Sequence, residues 1–504
     1  MPTSDTLAEA RIARRTWWFV YGVWAVLTLQ ALVFIVRYAQ PGPIIDEWEF
    51  IPALTDEESF GPWLWKLHNE HRFPLPRLIW YPLTRITGDF SAGCYVSLAG
   101  VSLLTLLMIR LAQQLRGRLN FADAFFPLSL LHTGHWENLR MGYQIVFMMN
   151  LVLAGILLWI VLRTNRTNLF RRGVQAGIVT LLLLACGAGG LAFGPFEMIW
   201  LLAIGFWLLT AMPRMVQRWR LLWLLALAAG MAAYIWLYLQ GYHRPSHHRD
   251  PVAFWGSTNE AAFQGFRSAI QALAMAFGPA GSGLWPVSIF IICFVGLECV
   301  LVLLRVLPNN YAERPRVAGL LLYLGAIAFM AFGIGWGRSV FVQANGEPGF
   351  MGHSSRYSWI TWPALGAIYY LWMLYGTPRT SRWVPTVLFG TLAIMLPFNV
   401  ATGFIEGEKH RHHNKEWEQS VRDGMSDEEL IDRYYPNYYG ELKERMRVGL
   451  YLLRKNRIQY YRPLPERGEP LPPPRTIRLP RRSVRKGDIA SIHRYRRHWR
   501  HDRP

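Results

Sequence analysis

Four groups of residues in this sequence have types and spacings that could do chemistry. The first is Asp46-Glu47-Trp48-Glu49, directly after the rigid Pro41-Gly42-Pro43. Two adjacent carboxylates at a helix exit can serve as a general base or as metal ligands, and a low-dielectric surrounding would raise at least one pKa toward a useful value. The plain alternative is a solvated acidic turn. The second is His68-Asn69-Glu70-His71-Arg72. His68 and His71 stand three apart, and with Glu70 they could ligate a divalent ion. Trp63, Leu67 and Glu70/His71 follow helical spacing, so the expected carrier is a short amphipathic helix in the membrane surface, with or without a ligand role. The third is His135-Trp136-Glu137-Asn138, with Arg140 and Gln144 close behind. Ionisable groups at a helix mouth cost free energy unless they face a cavity or a partner. That favours a cleft over a structural Glu137–Arg140 pair at i,i+3. The fourth is Arg338 with His353, Arg356 and Tyr357. A guanidinium fork matches phosphate oxygens and keeps its charge. Snorkelling to lipid headgroups accounts for one such arginine more easily than for two in one loop.

The elements that must position these groups are membrane helices. Of 504 residues 52% are hydrophobic and 17% charged, against roughly 25% charged in soluble proteins. The shortfall is concentrated in apolar runs near 17–37, 91–112, 121–134, 143–162, 173–192, 195–212, 220–240, 284–304, 317–335, 358–375 and 384–403. This predicts an all-α polytopic membrane protein of about eleven transmembrane helices. The first run is long enough to be a retained helix and no cleavage site follows it. Arginines cluster in alternate short loops, at Arg11, Arg14 and Arg15, at Arg163 and Arg166, at Arg305, Arg314 and Arg316, and at Arg379 and Arg382, which places those loops and the N-terminus in the cytoplasm. All four groups, Gln144 apart, then fall in the opposite loops, 38–90, 135–142 and 336–357.

The expected domains are a transmembrane domain over 1–403, a small extracytoplasmic helical segment over 404–462, and a flexible basic Pro/Arg-rich tail over 463–504. Net charge is +20, and Arg454 to Pro504 holds 16 Lys+Arg against 4 Asp+Glu. That tail suits anionic headgroups or an acidic glycan. Cys94, Cys186, Cys293 and Cys299 sit in apolar stretches and form no disulfide framework. The glycine-rich 186–194 reads as a tight hairpin, because it lacks the Lys-Ser/Thr ending of a phosphate loop. The irregular histidines from His243 to His248 read as a loop over the cleft.

Taken as an ordered set, Asp46-Glu47-Trp48, His68 to Arg72, Glu137-Asn138 with Gly142-Tyr143-Gln144, and Ser355-Arg356-Tyr357 resemble the GT-C superfamily of membrane glycosyltransferases over residues 17–460. That group includes protein O-mannosyltransferases and the aminoarabinose transferases of lipid A. The resemblance implies a GT-C-like fold with short interfacial helices in the first outer loop. It implies an inverting enzyme that moves a sugar from a polyprenyl-phosphate carrier to an extracytoplasmic glycan, lipid or protein. Carried over, Asp46 is the catalytic base with Glu47 as its partner, and Arg338, His353, Arg356 and Tyr357 hold the donor phosphate. His68, Glu70, His71, Arg72, His135, Glu137, Asn138 and Gln144 lie near the acceptor or a metal. A divalent ion, if one is used, would sit on Asp46, Glu70 and His71. The implied location is the bacterial inner membrane, with membrane lipids, the lipid-linked sugar and the acceptor as partners and no nucleic acid. Two features depart from the family: no long soluble C-terminal domain is present, and the basic tail matches no family pattern. The rival readings are an O-antigen polymerase or ligase and a lipid or solute transporter.

Overall fold

A computed structural model describes residues 4–211, 214–243, 248–341, 354–436 and 440–461. The described chain is helical throughout, with one isolated antiparallel bridge, His68 to His71. Eight helices are long and apolar enough to cross a membrane: Glu9–Tyr38, Ala92–Arg116, Gly142–Leu162, Ala188–Leu209, Arg218–Leu239, Pro286–Asn309, Arg314–Arg338 and Thr380–Arg422. This is the helix complement of a multi-pass membrane protein.

The other three apolar runs take different forms. Residues 121–134 do not make one helix, because Asn120 caps a 3-10 turn over Phe121–Ala124 and the helix Phe125–Leu130 then runs only six residues, about 9 Å. The run 173–192 is cut at Gly187, whose φ of 103° is a left-handed backbone natural to glycine. It leaves a helix Leu169–Leu184 of sixteen residues. The run 358–375 does form a helix, Tyr357–Tyr375, but every residue from Tyr357 to Leu371 is buried. Its polar rings explain how a helix this rich in Tyr and Trp sits inside. Tyr369 OH donates to Asp123 at 2.7 Å, Tyr370 OH to the Met108 carbonyl at 2.6 Å, and Trp362 Nε1 to Ser129 Oγ at 2.8 Å. Buried polar groups satisfied in this way cost little.

The chain divides into two compact units. The first comprises Met1–Ala39, Leu67–Pro76 and Cys94–Lys409 and holds the membrane helices. Small residues let its helices approach closely. A Cβ on Gly335 would lie 2.1 Å from the Gly265 carbonyl, so the Thr258–Ala274 and Arg314–Arg338 helices touch backbone to backbone there. Asp123, wholly buried, binds Arg116 through both oxygens at 2.9 and 3.0 Å.

The second unit comprises Gln40–Lys66, Arg77–Gly93 and the chain from His410 onward. Its core is aromatic: Trp48 packs edge-on against Trp417 and Tyr461, and Phe50 against Trp63 and Trp80. Arg77, only 2% exposed, donates to the carbonyls of Trp63 and Lys66 at 2.5 and 2.7 Å and so caps the helix Phe60–Trp65. Glu49 pairs with Arg445 at 2.7 Å and Glu57 with Lys455 at 2.9 Å, joining the first loop to the helix Gly440–Lys455. Within 404–461 the described residues form the end of Thr380–Arg422, Asp427–Tyr434 and Gly440–Lys455. The tail expected over 463–504 lies outside the described residues.

Candidate functional site

The helix Phe60–Trp65 ends at Lys66, and the helix expected to continue across 67–71 is replaced by a tight turn. His68 N donates to the His71 carbonyl at 2.8 Å and His71 N returns the bond at 2.9 Å. Asn69, at the corner, takes φ 51°, a left-handed conformation that asparagine tolerates better than most residues. The turn is anchored on both sides. Arg72 donates from Nε to the Tyr238 carbonyl at 3.2 Å and from Nη2 to the Gln240 carbonyl at 2.6 Å. A cation there complements the C-terminal end of the Arg214–Leu239 helix. Its backbone N–H donates to Tyr238 OH at 3.0 Å. The His68 ring packs on Phe73 and Tyr143, each at 5.4 Å between centroids. Arg72 and His68 therefore hold the turn in place.

What the turn presents is Glu70. One carboxylate oxygen lies 2.9 Å from His248 Nδ1 and the other 3.7 Å from His71 Nε2. Arg338 adds a third basic group, and Phe341 packs against both Arg338 and His248, with 5.3 Å to the guanidinium carbon and 5.7 Å to the imidazole centroid. Burial alone would raise the Glu70 pKa. The His248 hydrogen bond and the charges of His71, Arg338 and His248 outweigh it and hold the carboxyl below the usual range. Burial dominates at His71 and lowers it to about 4, against the pull of Glu70 in the other direction. The result is an ionised, half-buried acid ringed by basic groups, at the end of the Arg314–Arg338 span.

The third sequence group builds a different object. Glu137 accepts from Ser354 Oγ at 2.6 Å and from the Arg356 N–H at 2.7 Å, while Asn138 Nδ2 donates to the Arg356 carbonyl at 3.2 Å. A carboxylate accepting from this hydroxyl and this N–H suits the start of the buried helix Tyr357–Tyr375. Arg356 itself is half-buried, with its guanidinium over the Tyr357 ring at 5.6 Å. His135 is wholly buried between Ser358 Oγ at 2.6 Å and the Ser129 carbonyl at 3.1 Å. Burial lowers its pKa to about 3, opposed by the Ser129 bond, so it is neutral, and Nε2 carries the proton because a carbonyl can only accept. Gln144 is 2% exposed, its amide nitrogen 3.8 Å from the Met141 sulfur. His135, Glu137, Asn138 and Gln144 thus lock a loop, and His353 lies outside the described residues.

Asp46 and Glu47 belong to the second unit, on the 3-10 helix Ile45–Phe50. Glu47 is fully buried and its carboxylate folds back to accept from the Ile44 N–H at 2.9 Å, an N-terminal cap for its own turn. Asp46 stays half-buried. The residue before it, Ile45, has φ 44°, a region that β-branched residues rarely enter. Such outliers cost on the order of 1–3 kcal/mol and collect at functional sites.

Sequence reasoning missed His248 as the partner of Glu70, although the histidine run around it was visible. It also missed buried His132, stacked on His135 at 4.0 Å, and buried Glu197. No spacing signal marks either. Among the described residues no three His, Cys, Asp or Glu side chains converge to hold a metal ion. Asp46 lies in a different unit from Glu70 and His71. The described residues do not fit a resident divalent ion. Comparison with known protein families, characterised proteins and solved structures finds no match.

Proposed function

We propose that this chain is a membrane glycosyltransferase of the GT-C kind, moving a sugar from a polyprenyl-phosphate carrier to a hydroxyl on an extracytoplasmic acceptor. The observation that carries this reading is the Glu70 cluster. Glu70 pairs with His248, its Oε2 lying 2.9 Å from Nδ1, and a proton on Nδ1 would leave the lone pair on Nε2. Such a pair can take a hydroxyl proton as the oxygen attacks the anomeric carbon. The new bond forms between acceptor oxygen and sugar carbon. The bond from that carbon to the phosphate oxygen breaks and its electron pair leaves with the lipid phosphate, inverting the carbon. Arg338, beside Glu70, supplies charge for the phosphate as it leaves. Arg356 and Tyr357 remain candidates for the donor headgroup. The hydroxyl yields one proton, so Asp46 is the alternative base to this pair; that assignment rests on the resemblance, with the strained Ile45 beside it as support. The eleven-span plan, with the N-terminus cytoplasmic and the C-terminal segment outside, belongs to the same reading.

A lipid or solute transporter is the second reading, favoured by one observation, the buried Glu197 inside a span. Mass spectrometry of lipid extracts from a deletion strain separates the two. The transferase reading expects a polyprenyl-phosphate sugar to accumulate on deletion and to clear when the gene is restored. An unchanged lipid-linked sugar pool, with another solute or lipid trapped on one side of the membrane, would contradict it.

A further inference from the structure

Glu197 lies near the start of the helix Phe193–Ala211, within the span Ala188–Leu209, and is 5% exposed. Its Oε1 is buried with no hydrogen-bond partner. The carboxyl lines a cavity of about 10 Å³, enough for one water. The walls are otherwise mostly apolar and include Leu157, Val161, Phe196 and Gly319, with Tyr323 as the other polar side chain. Gly319 and Tyr323 stand about 8 and 14 Å along the helix axis from Arg314, so the acid is level with the interior of the Arg314–Arg338 span. Trp200 packs at Gly319, its Nε1 donating to the Pro315 carbonyl at 2.9 Å. Phe193 packs on Tyr323 at 5.6 Å.

Of the described charged and titratable groups on the neighbouring helices, Tyr323 is the one that lines the cavity. Arg316 pairs with Glu313 at 2.8 Å and Arg314 donates to the Leu307 carbonyl at 3.0 Å. Arg172 donates to Gln175 at 2.8 Å, and Arg171 shares its helix end. Tyr238 OH accepts from Arg72, and Tyr323 OH donates to the Ala154 carbonyl at 2.9 Å. Tyr234 and these groups other than Tyr323 lie outside the cavity lining. An ionised carboxylate at this depth would have room for one water and no counter-charge in the cavity lining, whereas a protonated one needs a single acceptor.

We propose that Glu197 is a proton-binding site, a carboxylic acid kept neutral inside the span and hydrogen-bonded to one water in its cavity. The site is independent of the transferase reading. A glutamine would satisfy the same cavity, so the feature that glutamate adds is a proton it can release and take back.

The test uses the full chain in lipid nanodiscs at pH 7. Dicyclohexylcarbodiimide takes the carboxyl proton on nitrogen, bonds the carboxylate oxygen at its central carbon and rearranges to a stable N-acylurea. The adduct is expected on Glu197 and absent from E197Q. Infrared spectra of the same samples should show a protonated carboxyl C=O band that E197Q removes and E197D retains, and that band decides the matter if the reagent is too large to enter. A spectrum in which E197Q removes no such band would mean an ionised side chain and overturn the proposal. Labelling that sodium ions suppress would point to a bound cation and overturn it equally.

Discussion

Asp46-Glu47 and Glu70-His71 are both acid-bearing pairs of the first loop, and they end in different surroundings. Glu47 accepts from the Ile44 N–H within its own turn, and half-buried Asp46 follows a strained isoleucine. Glu70 is presented by a turn whose neighbours do the structural work, with Arg72 capping a helix and His68 packed among aromatic rings. Its own carboxylate lies against His71 and His248, in the field of Arg338. The lesson is that adjacency in sequence does not distinguish a cap from a reactive acid. The partner does, and the partner of Glu70 comes from a distant loop.

The largest expected effect breaks the comparison outright. Glu70→Gln should lower transfer by about 100-fold or more, the range of a lost general-base pair, while insertion and accumulation stay normal in membrane fractions. Wild-type turnover in Glu70→Gln together with a dead Asp46→Asn would move the base to the second unit. Arg338→Ala should raise the KM for the lipid-linked donor about tenfold or more, with Arg338→Lys recovering part of the loss, because lysine keeps the charge without the fork. An unchanged KM would return Arg338 to snorkelling. Glu137→Ala, which removes two bonds to a charged acceptor, should cost about 2–4 kcal/mol of stability. It would appear as a lower melting temperature, and an unaltered melting curve would remove the capping role.

The smallest effect is a pH dependence. Glu70 is held below its ordinary 4.5, so its contribution is full above that pH and fades as pH falls further. His71, at about 4 instead of 6.5, prefers its neutral form when folded, so its contribution is full above 6.5 and is lost as pH falls toward 4. Stability should therefore decline from pH 6.5 downward. His71→Asn should flatten the upper part of that decline, and an identical profile in the variant would show that His71 does not titrate as described.

Much of this architecture was legible in the sequence, because hydrocarbon imposes long charge-free runs. Eight of them form helices fit to span. The runs that differ turn on local chemistry: Asn120 starting a 3-10 turn, Gly187 reversing the chain, and a Tyr- and Trp-bearing helix buried by polar partners. The chemistry-bearing residues were also visible, but their tasks were not. Glu137 looked like a cleft acid and caps a helix, since Ser354 and Arg356 lie far along the chain. His248 belonged to a histidine run expected to form a loop over the cleft, and it faces Glu70. Periodicity records which face is buried, not what it meets.

The most direct test of the central claim is the lipid profile of a deletion strain carrying wild type, Glu70→Gln or Asp46→Asn, read by mass spectrometry at matched protein levels. The account predicts that a polyprenyl-phosphate sugar clears with wild type and persists with Glu70→Gln. Clearance by Glu70→Gln as complete as by wild type would contradict it.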